Sequence, residues 1–248
     1  MRYLIFYLLP LMMWSLTVAA APSVTDVENA IKNNDVAALE KMAADGLDVN
    51  MKDTRGNSLV YLALTNRRPS AQVLRFLADH GAYLNTPIPV TGETPLIHAV
   101  AAAERIQAAA EQVFVDELTP EERDEMSADF EKAAAKEMKH AVETVRLLVE
   151  LGADVNQETP FGTPLMKASS NSWNSEIVTI LLDAGADVNQ EDQNGRTALF
   201  YAEANGCSDI SMQLIVAGGD IYHRDINGKT YIEIDKKDLQ SAEIIHDM

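Results

Sequence analysis

At 248 residues, with 47% hydrophobic and 23% charged, the chain is long enough to bury a sizeable core, and disorder is not its default state. Aromatics are only 6%, with alanine and leucine supplying most of the apolar content, a balance that favours helices packed through small side chains over a sheet. The formal net charge of −18 argues against nucleic acid as a partner, because phosphate binding needs concentrated Lys and Arg. That charge either suits a basic protein partner or simply keeps the chain soluble.

The first element is an export signal over residues 1–20. Arg2 supplies a positive charge, an apolar run follows from Leu4 to Val18, and Val18 and Ala20 place small residues at −3 and −1 of a cleavage site before Ala21. The run has 15 residues, short of the roughly 18 a membrane-spanning helix needs, and no second run of that length follows. The mature chain, residues 21–248, is therefore expected to be free of the membrane. A compact signal and the lack of any Asn-x-Ser/Thr acceptor point to a bacterial periplasm, with secretion as the alternative.

From Val24 onward two markers recur together. One is a glycine that ends an apolar helical stretch: Gly46 in DGLDVN, Gly81 in HGAYLN, Gly152 in LGADVN, Gly185 in AGADVN and Gly218 in AGGDIY, at separations of 35, 71, 33 and 33 residues. The other opens a helix: Ser58-Leu59-Val60, Thr94-Pro95-Leu96, Thr163-Pro164-Leu165, Thr197-Ala198-Leu199 and Thr230-Tyr231-Ile232. A Thr or Ser hydroxyl can cap free N–H groups, and Pro at the first helical position loses no hydrogen bond. The closing glycine suits the left-handed turn that ends a helix, and Asn194-Gly195 and Asn227-Gly228 are turn formers. Each unit thus reads turn, helix, short loop, helix, turn, with units at about 24–50, 51–85, 86–156, 157–189, 190–222 and a terminal cap at 223–248.

The third unit is too long by 38 residues, in a glycine-free insertion at about 104–140. Ala99, Ala103, Ile106, Ala110 and Val113 recur at helical spacing, as do Phe130, Ala134, Met138, Ala141 and Val145. Between them Thr119-Pro120-Glu121-Glu122 is a helix-start signature. Both helices of this unit are expected to lengthen into an antiparallel hairpin reaching about 28 Å out, unless a break near Ser127 folds it back. With eleven acids and five bases, the arm is either a partner-binding device or a solvated extension.

These residues resemble the ankyrin repeat, whose pattern opens its first helix with TPLHxA and closes its second with LLxxGADVN. The resemblance covers roughly Val24 to Met248 and implies an all-α ankyrin-repeat solenoid of helix–turn–helix units with turn or β-hairpin fingers. The family's His is replaced by Tyr61, Ile97, Met166 and Phe200, which apolar packing can accommodate. The resemblance implies a non-catalytic protein-binding module, monomeric when free. Exported members of this kind include immunity proteins that neutralise secreted toxins such as phospholipases, and stress-protection scaffolds for antioxidant enzymes. Carried over by position, the turn tips run from Thr54 to Asn57, Val90 to Glu93, Pro160 to Gly162, Gln193 to Arg196 and Ile226 to Lys229, with Arg55, Asn57, Glu93, Phe161, Gln193, Asn194 and Arg196 as the binding residues among them. Leu62, His98, Lys167 and Tyr201 fall on the exposed face of the first helices. Trp173 is either a second aromatic anchor or a cover for the end of the stack.

Chemistry beyond binding finds little support. The five histidines lack metal-ligand spacing, and no HExxH, CxxC, GxSxG or phosphate-cradling glycine loop occurs, so no cofactor is expected. His98 and His140 lie on the helices of the interrupted unit and are either two ordinary surface histidines or members of a shared site. Cys207 is alone and reads as a buried structural thiol, with pairing between chains as the alternative.

Overall fold

The computed structural model describes residues 21–66, 69–112 and 120–230, and within these ten α-helices form two stacked layers. Residues 1–20, the tip of the insertion and most of the expected terminal cap lie outside the described residues. The first helices are α1 (Val24–Lys32), α3 (Leu59–Leu64), α5 (Pro95–Gln112), α7 (Pro164–Ser169) and α9 (Ala198–Ala204). The second helices are α2 (Val36–Ala44), α4 (Ala71–Asp79), α6 (Pro120–Glu150), α8 (Ser175–Asp183) and α10 (Ser208–Val216). Each first helix packs against its own second helix and against the first helix of the next unit. The second helices contact one another in the same succession.

Local chemistry explains the helix ends. Ser58 Oγ accepts from Tyr61 N–H at 3.2 Å, Thr94 Oγ1 from Ile97 N–H at 3.2 Å and Thr163 Oγ1 from Met166 N–H at 3.3 Å. Thr197 stands in the same place but makes no side-chain cap, so the opening motif is not a capping device in every unit. At the other end Gly152 has φ 95°, with Ala153 N–H bonded to Leu148 O and Gly152 N–H to Val149 O, the double closure of a left-handed helix stop.

Small residues let the first helices approach closely. Ala63, Ala99, Ala168 and Ala202, one per unit, are at most 5% exposed. Around them Leu74, Leu77, Leu96, Leu148, Leu165 and Leu181 are fully buried in one continuous core. Ile97 and Met166, which replace the family's His, are buried apolar residues as expected.

A polar ladder runs beside this core. Asn50 Nδ2 donates to Gly81 O at 3.0 Å and its Oδ1 accepts from Tyr83 N–H at 2.8 Å. Asn156 repeats the pair with Gly185 O and Asp187 N–H, and Asn189 with Gly218 O and Asp220 N–H. Asn85 accepts from Asp154 N–H. The last residue of each GADVN-type turn therefore ties one unit to the turn of the next.

The insertion is helical on both sides. Helix α5 has 18 residues and α6 has 31, against 6 and 9 in the unit that follows. They pack against each other, with Ala99, Ala134, Ala141 and Val145 buried and Met138 partly buried. Helix α6 is continuous across Ser127, so the arm is not folded back there. Its 22 residues beyond the length of α8 amount to about 33 Å of helix. Three of the fingers are turns closed by isolated bridges, Lys52 with Ser58, Thr159 with Gly162 and Arg224 with Thr230, and no two-stranded hairpin occurs among the described residues.

Asn156→Ala should lower the unfolding free energy by about 1–2 kcal/mol, since two hydrogen bonds at a partly exposed turn are lost. Urea titration of residues 21–248, with an unchanged slope, is the check.

Candidate protein-binding surface

The finger turns are built by a repeated device. In Asp53-Thr54-Arg55-Gly56, Asp53 Oδ1 accepts from Arg55 N–H and Asn57 N–H, both at 2.8 Å, while Oδ2 accepts from Asn57 Nδ2 at 2.9 Å. Asp192 does the same with Asn194 N–H and Arg196 N–H, and Asp225 with Asn227 N–H and Lys229 N–H. An Asp side chain that bonds the backbone two and four residues on pins the loop and turns its carboxylate inward. In the third finger Thr159 takes this place. Its hydroxyl donates to Gly162 O at 3.0 Å and accepts from Phe161 N–H at 3.2 Å.

The fingers lie side by side as a row. Ile226 N–H donates to Asn194 O at 3.0 Å, and Gln190 Nε2 donates to Asn156 O at 3.2 Å. Glycine is required where neighbours press closest: a Cβ at Gly195 would stand 3.2 Å from Ile226 N.

Most of the expected binding residues meet on this row. Arg55, Gln193, Asn194 and Arg196 are exposed, and Phe161 is 52% exposed at the tip of the third finger. Lys167 and Tyr201 are half-buried on α7 and α9 behind the tips. Glu93 is half-buried at the foot of the second finger, 3.4 Å from His98 Nδ1. Asn57 must be reassigned. It is 6% exposed and spent on Asp53, so it holds the finger together and presents nothing to a partner. Leu62, at 4% exposure, is likewise core.

Trp173 belongs elsewhere. It sits in a 3₁₀ turn (Ser172–Asn174) at the C-terminal end of α7, opposite the fingers, and that turn packs against α5. At 42% exposure beside a central repeat, it does not cover the end of the stack. Val90, 88% exposed, and Ile226, 70% exposed, are further apolar residues of the expected finger tips.

A second concavity opens at the root of the arm, where α5 and α6 overhang the loop after α3. It has a volume of about 420 Å³ and is lined by Leu64, Ala102, Ile106, His98, His140 and Thr144 among others. Both His98 and His140 therefore border one cleft. Burial and the Arg105 guanidinium hold His98 below the usual histidine range, against the opposing pull of Glu93. Thr144 Oγ1 donates to His140 O at 2.8 Å and is not set up as a nucleophile. Among the described residues no group of three His, Cys, Asp or Glu is placed to hold a metal ion. Cys207 is buried, and burial followed by the nearby Glu203 raises its thiol pKa, as suits a structural residue.

The finger carboxylates titrate abnormally. Burial alone would raise Asp53 and Asp192, but their N–H and O–H donors outweigh it and hold both below the ordinary Asp range. Tyr201 is pushed up to about 12 by burial and by donating its hydroxyl to Asp192 at 2.7 Å. A depressed carboxylate contributes stability that is fully present above its unfolded value, about 3.9, and lost as pH falls through the lower folded value. Stability of residues 21–248 should therefore decline on acidification below about pH 4. Asp53→Asn, which keeps an acceptor at Oδ1, should flatten part of that decline in pH-dependent urea unfolding.

Residues 132–225 match the family model of ankyrin repeats, in three copies. No curated protein matches the chain. With the repeated helix pairs, the left-handed glycine stops and the stacked turns, this makes the fold an all-α ankyrin-repeat solenoid.

Proposed function

We propose that this protein works without catalysis, by binding a protein partner on the finger row and the adjoining faces of α7 and α9, after export to the periplasm. Ankyrin repeats are in general protein–protein interaction modules, and residues 132–225 carry three of them. The observation that carries the reading is Phe161. A large aromatic, 52% exposed, is held by the Thr159 turn at the tip of the central finger, with the exposed Val90 on the finger before it. Exposed aromatics on a rigid support are preferred anchors of interfaces because they bury much area for little entropy. The export half of the reading rests on the basic, apolar and small-residue pattern of residues 1–20.

Affinity capture with the mature chain from its own cell envelope supplies the partner. Phe161→Ala should then weaken it by tenfold or more, roughly 1.4–3 kcal/mol, with no change in melting temperature. Trp173→Ala, at the opposite end of α7, should leave affinity within twofold. Equal effects of the two substitutions would move the interface away from the fingers.

Export has its own check. The chain recovered from the envelope should begin at Ala21 by intact mass. Retention of residues 1–20 in a cytoplasmic product would refute the localisation and leave the binding reading intact.

A further inference from the structure

The finger row does not share the sign of the whole chain. Residues 51–58, 86–94, 157–163, 190–197 and 223–230 hold six acids and five bases, nearly balanced in a chain of −18. Their orientations are not balanced. Lys52, Arg55, Arg196, Arg224 and Lys229 are all exposed. Three of the six carboxylates, Asp53, Asp192 and Asp225, are turned inward onto backbone N–H groups, and Asp53 and Asp225 are buried. Glu93 is half-buried, and Glu158 and Glu191 are the exposed acids that remain in these segments. The surplus acid lies elsewhere, in the arm and at the heel turns, where Asp154, Asp187 and Asp220 are exposed. Screening over roughly 8 Å at physiological salt makes a bound segment respond to the fingers more than to the distant total.

The order along the row matters as much as the sign. The first finger presents Arg55, the second and third Val90 and Phe161, the fourth Arg196, and the fifth Ile226 between Arg224 and Lys229. We propose that the row receives an extended polypeptide segment with an apolar centre flanked on both sides by Asp or Glu. This deepens the protein-binding reading and rests on it. The sign is opposite to the basic partner that net charge alone suggests. Five fingers at a helix-packing spacing of about 10 Å span about 40 Å, which an extended strand covers with about 12 residues. The apolar residues seat on Val90 and Phe161, and the flanking carboxylates meet the exposed guanidinium and ammonium groups of the outer fingers, of which Arg55 lies 3.7 Å from its own Asp53.

The probe is a displayed library of random 12-residue peptides, selected against the mature chain. Enriched peptides should carry a central aromatic or aliphatic pair with acidic residues on both flanks. The best one, synthesised, should lose about tenfold in affinity to the doubly substituted Arg55→Glu, Lys229→Glu protein, whose exposed sites leave the fold intact. Arg196→Glu should act in the same direction on its own, and added salt should weaken binding. Enrichment of basic or uncharged peptides that Phe161→Ala still abolishes would overturn the acidic-segment proposal alone. Absence of any enriched peptide, or peptides indifferent to Phe161→Ala and to the charge reversals, would overturn the proposal and the finger-row reading with it.

Discussion

Stacking of one helix pair on the next is the constraint on which the molecule depends. A pair such as α7 and α8 is two short helices of 6 and 9 residues, too few to bury an apolar face alone. Its leucines become core only because the neighbouring pairs close over them, and the buried alanines set how near those neighbours come. The Asn ladder then fixes the turns of successive units relative to one another. Everything with functional promise hangs on this spacing. The fingers form a row because the repeats do, and the arm projects because one pair was lengthened while its lower part stayed in register.

That arrangement separates two kinds of polar residue that look alike in the sequence. Asp53 and Arg55 stand two positions apart in one turn, yet the carboxylate is buried against backbone N–H groups and the guanidinium faces water. The same division recurs at Asp192 with Arg196 and at Asp225 with Lys229. A turn that consumes its acids structurally leaves its bases for recognition. Net charge is therefore a poor guide to this face.

The arm shows the opposite balance. Ala99, Ala134 and Ala141 are buried along its lower part, and its root makes a cleft against the loop after α3. The cleft exists because α5 continues where α3 stops, at Leu64. It is a product of unequal helix lengths in adjacent repeats, and both histidines border it for that reason.

Periodicity and turn chemistry in the sequence determined the repeat boundaries, the helix starts at Ser58, Thr94 and Thr163, the glycine stops and the helical nature of the insertion. These are local properties, decided by caps, left-handed turns and apolar spacing within a few residues. They also placed Arg55, Phe161, Gln193, Asn194 and Arg196 at exposed tips, since a tip is defined by its turn. Only the tertiary structure decided that Asn57 and Leu62 are buried and that Trp173 sits at the far end of α7. Burial and adjacency depend on which unit stacks on which, and on where each side chain spends its hydrogen bonds. No residue's own type, nor its near neighbours in the chain, carries that information.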